Sequence, residues 1–71
     1  MVKHKVGDLL WDTSSSSIGV ILAYFPDGIN TAPNFKYSVY HSRHGNRFFY
    51  NEDMIEKGKE MLEEIYRVEG R

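Results

Sequence analysis

The residues of this chain whose types could do chemistry are three histidines, two neighbouring aspartates, a run of serines and one cation-rich hairpin. His41 and His44 stand in an H-x-x-H spacing, with His4 far away in sequence. Zinc takes three or four protein ligands, and the chain has no cysteine to complete such a set. Two histidines beside Gly45 in a polar stretch are ordinary hairpin residues, so neither a metal nor another cofactor is expected. Asp8 and Asp12 could be imagined as a carboxylate pair, but a turn and a strand end are common structural places for Asp. Ser14, Ser15, Ser16 and Ser17 offer four hydroxyls that compete for local backbone hydrogen bonds, and the run reads as a surface loop. Nothing supplies a nucleophile, a base and oxyanion donors together, which argues against an enzyme.

Arg43, His44 and Arg47, close in sequence to Tyr40 and Phe49, make the best candidate interaction patch. Cations interleaved with aromatic rings hold single-stranded nucleic acid by charge and stacking. Tyr, Trp and Arg are also the residues that dominate protein–protein hot spots. The plainer alternative is a solvated hairpin beside core aromatics. Trp11, the single tryptophan, is expected in the core, since tryptophan is highly buried on average. A platform for proline-rich peptides would need several exposed aromatics and acidic loops, and the serine run has no acidic residue.

These residues must be positioned by a small scaffold. The chain has 71 residues, enough for a single domain spanning 1–71. A domain of this size buries only about 60% of the surface its unfolded chain exposes. No disulfide can help, and the lack of cysteine fits a reducing compartment. No apolar leader stands between Met1 and Asp8, and the longest apolar run, Ile18 to Phe25, is too short to span a bilayer. A soluble, cytoplasmic protein with no membrane partner is expected. Residues 1–50 carry five Lys or Arg against three Asp, whereas residues 51–71 carry four against seven Asp or Glu. With a pI near 6.3, charge argues mildly against nucleic acid.

The hydrophobic pattern supplies the elements. Gly7-Asp8 reads as a tight turn leading into Leu9-Leu10-Trp11. Ile18–Phe25 reads as a strand, with Ile18, Val20, Leu22 and Tyr24 on one face and Gly19, Ile21, Ala23 and Phe25 on the other. Both faces are apolar, so both are expected to be covered. Phe25-Pro26-Asp27-Gly28 is a turn. Phe35–His41 alternates as a half-buried antiparallel strand, with Phe35, Tyr37 and Val39 on one face. Ser42–Asn46 is a hairpin loop with Gly45 at positive φ, and Arg47–Tyr50 is the returning strand.

At Asn51 the period changes. Asn51 is a good N-cap, Glu52 and Asp53 put negative charge near the helix N-terminus, and Tyr50 with Ile55 has the spacing of a hydrophobic staple. Met54, Ile55, Gly58, Met61, Leu62, Ile65 and Tyr66 form one helical stripe, expected to be buried on the sheet or in a homo-oligomer. Lys59–Glu63 and Glu63–Arg67 are favourable i,i+4 pairs. The helix should run from 51 to about Val68 before Gly70. Gly58 within the stripe reflects either a close approach or simple tolerance.

Lys5-Val6-Gly7-Asp8-Leu9-Leu10, Ile18-Gly19-Val20-Ile21-Leu22, Tyr37-Ser38-Val39-Tyr40 and Tyr50-Asn51-Glu52-Asp53-Met54 together resemble the strands and turns of small SH3-like (KOW/SH3-like) barrel proteins of tailed bacteriophages. The resemblance covers roughly residues 5–54. It implies an α+β fold: a small SH3-like antiparallel β-barrel or bent sheet of four to five strands over 5–50, with a C-terminal amphipathic α-helix over 51–68. It brings no catalytic residue. The function it implies is a protein-interaction module with a viral or host protein partner, either a minor virion component or a modifier of a host complex. The alternative is a KOW-like nucleic-acid-binding module using the Arg43/Arg47 hairpin.

Overall fold

The computed structural model describes residues 4–69, with side chains through Arg67. Four antiparallel strands and one helix follow in chain order: β1 (Leu9–Asp12), β2 (Ser17–Tyr24), β3 (Phe35–His41), β4 (Asn46–Asn51) and α1 (Glu52–Glu69). The strands form one sheet in the order β1-β2-β3-β4. The fold is therefore α+β, and of the two forms expected, closed barrel or sheet, the chain takes the sheet. β1 and β4 are its free edges, and no fifth strand joins them among the described residues.

Each connection has a local cause. Gly7 has φ +96°, and the Asp8 amide donates to the Lys5 carbonyl, closing the expected turn before β1. Gly28 has φ +75° and donates to the Phe25 carbonyl; a Cβ there would collide with the Pro33 carbonyl, so the turn requires glycine. Gly45 has φ +69° in the β3–β4 hairpin, as expected. Asn51 caps α1 through its side-chain oxygen, which accepts from the Met54 amide at 2.9 Å.

The core lies between α1 and one sheet face. Leu10, Ile21, Tyr37, Val39, Tyr50 and Ile55 form it, with Tyr24 packed at its margin. Two expectations about the sheet need correction. Strict alternation put Tyr24 on the face opposite Ile21, but the β2–β3 register shifts between Ile21 and Ala23. The shift makes Leu22 a bulge residue and returns Tyr24 to the core side, opposite Tyr37. Nor are both faces of β2 covered. A single helix covers one face, and on the other Leu22 stays exposed while Ile18 and Val20 are half-buried.

The helical stripe is split in the same way. Ile55, Gly58 and Leu62 are buried, whereas Met54, Met61 and Tyr66 are exposed. Lys59 does not pair along the helix with Glu63; its ammonium reaches Asp8 at 2.7 Å. Arg67 and Glu63 do pair, loosely, at 3.8 Å. Gly58 faces β1, where a Cβ would stand 2.6 Å from Leu10 Cδ1 and 2.9 Å from the Trp11 carbonyl oxygen. Close approach is thus the reason for this glycine. The position of Gly70 lies outside the described residues.

Candidate functional site

Where α1 leaves β4 it runs toward β1, and a wedge of the core face near the β3–β4 hairpin is left open. The wedge is a cleft of about 640 Å³ between β4 and α1, closed at one side by the end of β1 and its turn from Trp11 to Ser14. Its walls are Trp11, Phe48, Phe49, Met54 and Met61, with His44 and Lys57 contributing the accessible basic groups. Asp12, His41 and Tyr50 also line it. A volume of this size is in the range of ligand clefts, about 300–1,000 Å³. Phe48, Phe49, Met54 and Met61 are each 38–46% exposed, an unusual concentration of large apolar side chains at one place.

Asp12, His41 and Tyr50 form a closed hydrogen-bonded ring joining β1, β3 and β4. His41 Nδ1 stands 3.0 Å from Asp12 Oδ2, His41 Nε2 stands 2.8 Å from the Tyr50 hydroxyl, and that hydroxyl donates to Asp12 Oδ1 at 3.0 Å. All three residues are buried. The serine run completes the ring. Ser15 Oγ donates to Asp12 Oδ2 at 2.5 Å, Ser14 Oγ to Asp12 Oδ1 at 2.9 Å, and Ser15 and Ser17 hydroxyls meet at 2.6 Å.

The expected surface loop is therefore only partly that. Ser15 is buried because its hydroxyl satisfies a buried carboxylate, and Ser16 takes φ 51° to make the turn. Burial alone would raise the Asp12 pKa. Hydrogen bonds from Ser15, Ser14 and Tyr50, with His41 alongside, outweigh it and hold the carboxyl down at about 2. The Tyr50 phenol is pushed well above its usual range, by burial first and then by its bond to Asp12.

The Asp12–His41 contact has the form of an acid–base dyad, in which a carboxylate orients an imidazole. Its outer nitrogen, however, meets the Tyr50 hydroxyl, and Phe48 stacks on the ring with centroids 4.5 Å apart. The ring of polar groups bonds within itself and ties β1, β3 and β4 together through side chains alone. The two histidines of the H-x-x-H spacing separate, His41 into this network and His44 into the exposed turn. His4 packs edge-on against Tyr37 instead. Among the described residues no group of three or more His, Cys, Asp or Glu is placed to hold a metal ion.

The hairpin patch expected from sequence is divided between two surfaces. Tyr40 lies directly opposite Arg47, on the sheet face away from α1, and both are exposed. Arg43 is exposed in the turn. His44 instead lines the cleft, and Phe49, though it borders the cleft, alternates with Phe48 onto the face of Arg47, where its ring meets Phe25 at 6.1 Å. Trp11, expected in the core, is half-buried and lines the cleft. Sequence reasoning missed Phe48, Met54, Lys57 and Met61. The available signal was that a single helix has too narrow a stripe to bury both Met54 and Leu62 against a sheet this small.

No protein-family model, no curated protein and no solved structure matches this chain. Among the described residues, no helix is long and apolar enough to cross a membrane.

Proposed function

We propose that this chain is a non-enzymatic protein-interaction module that receives an apolar group of its partner in the cleft between β4 and α1. The observation that carries this reading is the cluster of exposed Phe48, Phe49, Met54 and Met61 around an open cleft. Aromatic and methionine side chains give large, adaptable contact area, and such clusters anchor protein interfaces. The polar floor supports binding over catalysis, because Asp12, His41 and Tyr50 bond to one another. The resemblance over residues 5–54 agrees with a small SH3-like phage accessory protein, as a minor virion component or a modifier of a host complex.

One observation favours a second reading. Tyr40, Arg47 and Phe49 lie together on β3 and β4, with Arg43 in the adjoining turn, as a nucleic-acid-binding module would have them. Affinity capture with the wild type, a Phe48→Ser/Met61→Ser variant and an Arg43→Ala/Arg47→Ala variant separates the two. The cleft reading expects a captured protein that is lost with the first variant and kept with the second. Capture that survives the cleft substitutions, but fails on nuclease treatment, raised salt or loss of the arginines, transfers the function to nucleic acid.

A further inference from the structure

We infer that the partner is an extended protein segment that adds to the free edge of β4, sets a bulky apolar side chain in the cleft and carries carboxylates beside it. This rests on the protein-binding reading above and specifies its chemistry.

Three observations converge on β4. First, it is an edge strand with β3 on one side only, and no backbone bond to its other side occurs among the described residues. An edge of six residues is a template for a further strand. Edge strands are ordinarily protected by proline, lysine or a covering helix, and here the only charge is Arg47.

Second, the cleft runs beside this edge. Side chains alternate along β4, so Phe48 and Tyr50 face the cleft floor while Arg47 lies on the other face. Directly paired residues of an added strand share a face with their partners. A residue opposite Phe48 would therefore direct its side chain into the cleft, and a residue opposite Arg47 would meet the guanidinium.

Third, the accessible charge that lines the cleft or stands on β4 itself has one sign. Lys57 at the mouth and Arg47 across the strand are cationic, and His44 offers ring N–H donation. The remaining lining charge, Asp12, is buried and already accepts from Ser14, Ser15 and Tyr50. Glu60, Glu63 and Glu64 of α1 flank an adjoining depression that shares Lys57 and Met61 with the cleft, and Glu52 and Asp53 stand where β4 passes into α1; none of these five carboxylates lines the cleft itself. Residues 46–51 contain no carboxylate, so a second copy's β4 would bring none. An acidic, apolar strand supplies what the site lacks.

The test uses the whole chain and an acetylated, amidated peptide of about eight residues alternating leucine with aspartate, the length of an ordinary strand. Three relatives of the peptide accompany it: one with lysine for aspartate, one with leucine replaced by serine, and one N-methylated at every amide on one edge. Fluorescence anisotropy reads affinity, and amide exchange reads which strand is protected. The expected result is binding that weakens by at least about tenfold with each altered peptide. Protection should rise along β4 and not along β1. Arg47→Glu should weaken the aspartate peptide and improve the lysine peptide.

Undiminished binding of the N-methylated peptide overturns strand addition, and the cleft reading then survives only if Phe48→Ser still abolishes binding. Binding indifferent to Phe48→Ser and to the serine peptide overturns both. No binding at about 1 mM peptide overturns the partner chemistry, while the capture experiment still judges the cleft. Protection of β4 that grows with protein concentration alone identifies a second copy as the occupant. Protection by oligothymidine, but not by the peptide, identifies nucleic acid. Either result refutes the inference.

Discussion

β1 and β4 both end the sheet, yet only one of them is packed by the helix along its length. At β1, Leu10 is fully buried beneath Gly58, and Lys59 bonds Asp8 across the junction. At β4, four consecutive residues from Asn46 to Phe49 are exposed, two of them phenylalanines. The difference follows from the path of one element. α1 begins directly after β4 at Glu52 and then crosses toward β1, so it leaves the strand from which it starts. A chain of this size with a single helix can finish one edge, and the other stays open among the described residues.

The sharpest way to break this comparison is to truncate one residue at each edge. Leu10→Ala removes a fully buried side chain and leaves a cavity under α1, at an expected cost of about 2–5 kcal/mol. Small domains are stable by about 0.05–0.15 kcal/mol per residue, so at this length that change approaches unfolding. Phe48→Ala removes a half-exposed side chain and should cost well under half as much. Urea unfolding of the two variants decides it. Equal costs would mean that Phe48 belongs to the core and that β4 is not a free surface.

The acid limb of stability tests the link between the two edges, because Asp12 on β1 is bonded to Tyr50 on β4. Asp12 is held at about 2 in the fold against 3.8 for an ordinary aspartate. A depressed carboxyl stabilises the fold in full above its unfolded pKa and loses that contribution as pH falls through the folded one. Stability should therefore decline by about 2 kcal/mol between pH 4 and pH 2, at about 1.4 kcal/mol per unit. Tyr50→Phe removes one donor to the carboxylate and should move this decline to higher pH. At the other extreme the sign reverses. Tyr37 is pushed up to about 12 by burial and by Glu52, so stability held below about pH 10 is lost as pH rises toward 12. Melting temperatures across pH follow both limbs. An acid limb unchanged in Tyr50→Phe would mean the ring of bonds does not couple the edges.

How much of this was legible in the sequence differs by feature. The strands at Ile18–Phe25 and Phe35–His41, the glycine turns and the Asn51 cap follow from local periodicity and local backbone demands, and they form as expected. Beyond the β3–β4 hairpin, what the pattern could not carry was the register of pairing. The bulge at Leu22 depends on how β2 registers with β3, and it changes which face Tyr24 occupies. Ser15 is an ordinary loop serine until Asp12, His41 and Tyr50 are brought around it from three strands. The cleft was invisible for the same reason. Phe48, Met54 and Met61 read as core by residue type, and only the path of α1 leaves them exposed. Of the hairpin residues named from sequence, His44 reaches the cleft from the turn before β4, whereas Tyr40, Arg47 and Phe49 alternate onto the opposite face, Phe49 only bordering the cleft.

The smallest expected effect concerns the residue that lets α1 approach β1. Replacing glycine by alanine inside a helix ordinarily gains about 1 kcal/mol, because alanine has less backbone freedom to lose. At Gly58 the added methyl would stand 2.6 Å from Leu10 Cδ1 and 2.9 Å from the Trp11 carbonyl oxygen. Leu10 has no exposed space into which to turn, and the carbonyl is backbone, so neither neighbour yields cheaply. Overpacking of this kind costs about 1–3 kcal/mol, which exceeds the gain in helix propensity. Gly58→Ala should therefore lower stability by a net amount of about 1 kcal/mol. Its signature should be local: amide exchange quickens along β1, where the helix is displaced, and is unchanged along β4, which α1 barely touches. A stabilised Gly58→Ala protein would show that the helix has room to spare over β1. The contrast between a packed edge and an open one would then rest on Leu10 and on the Lys59–Asp8 bond.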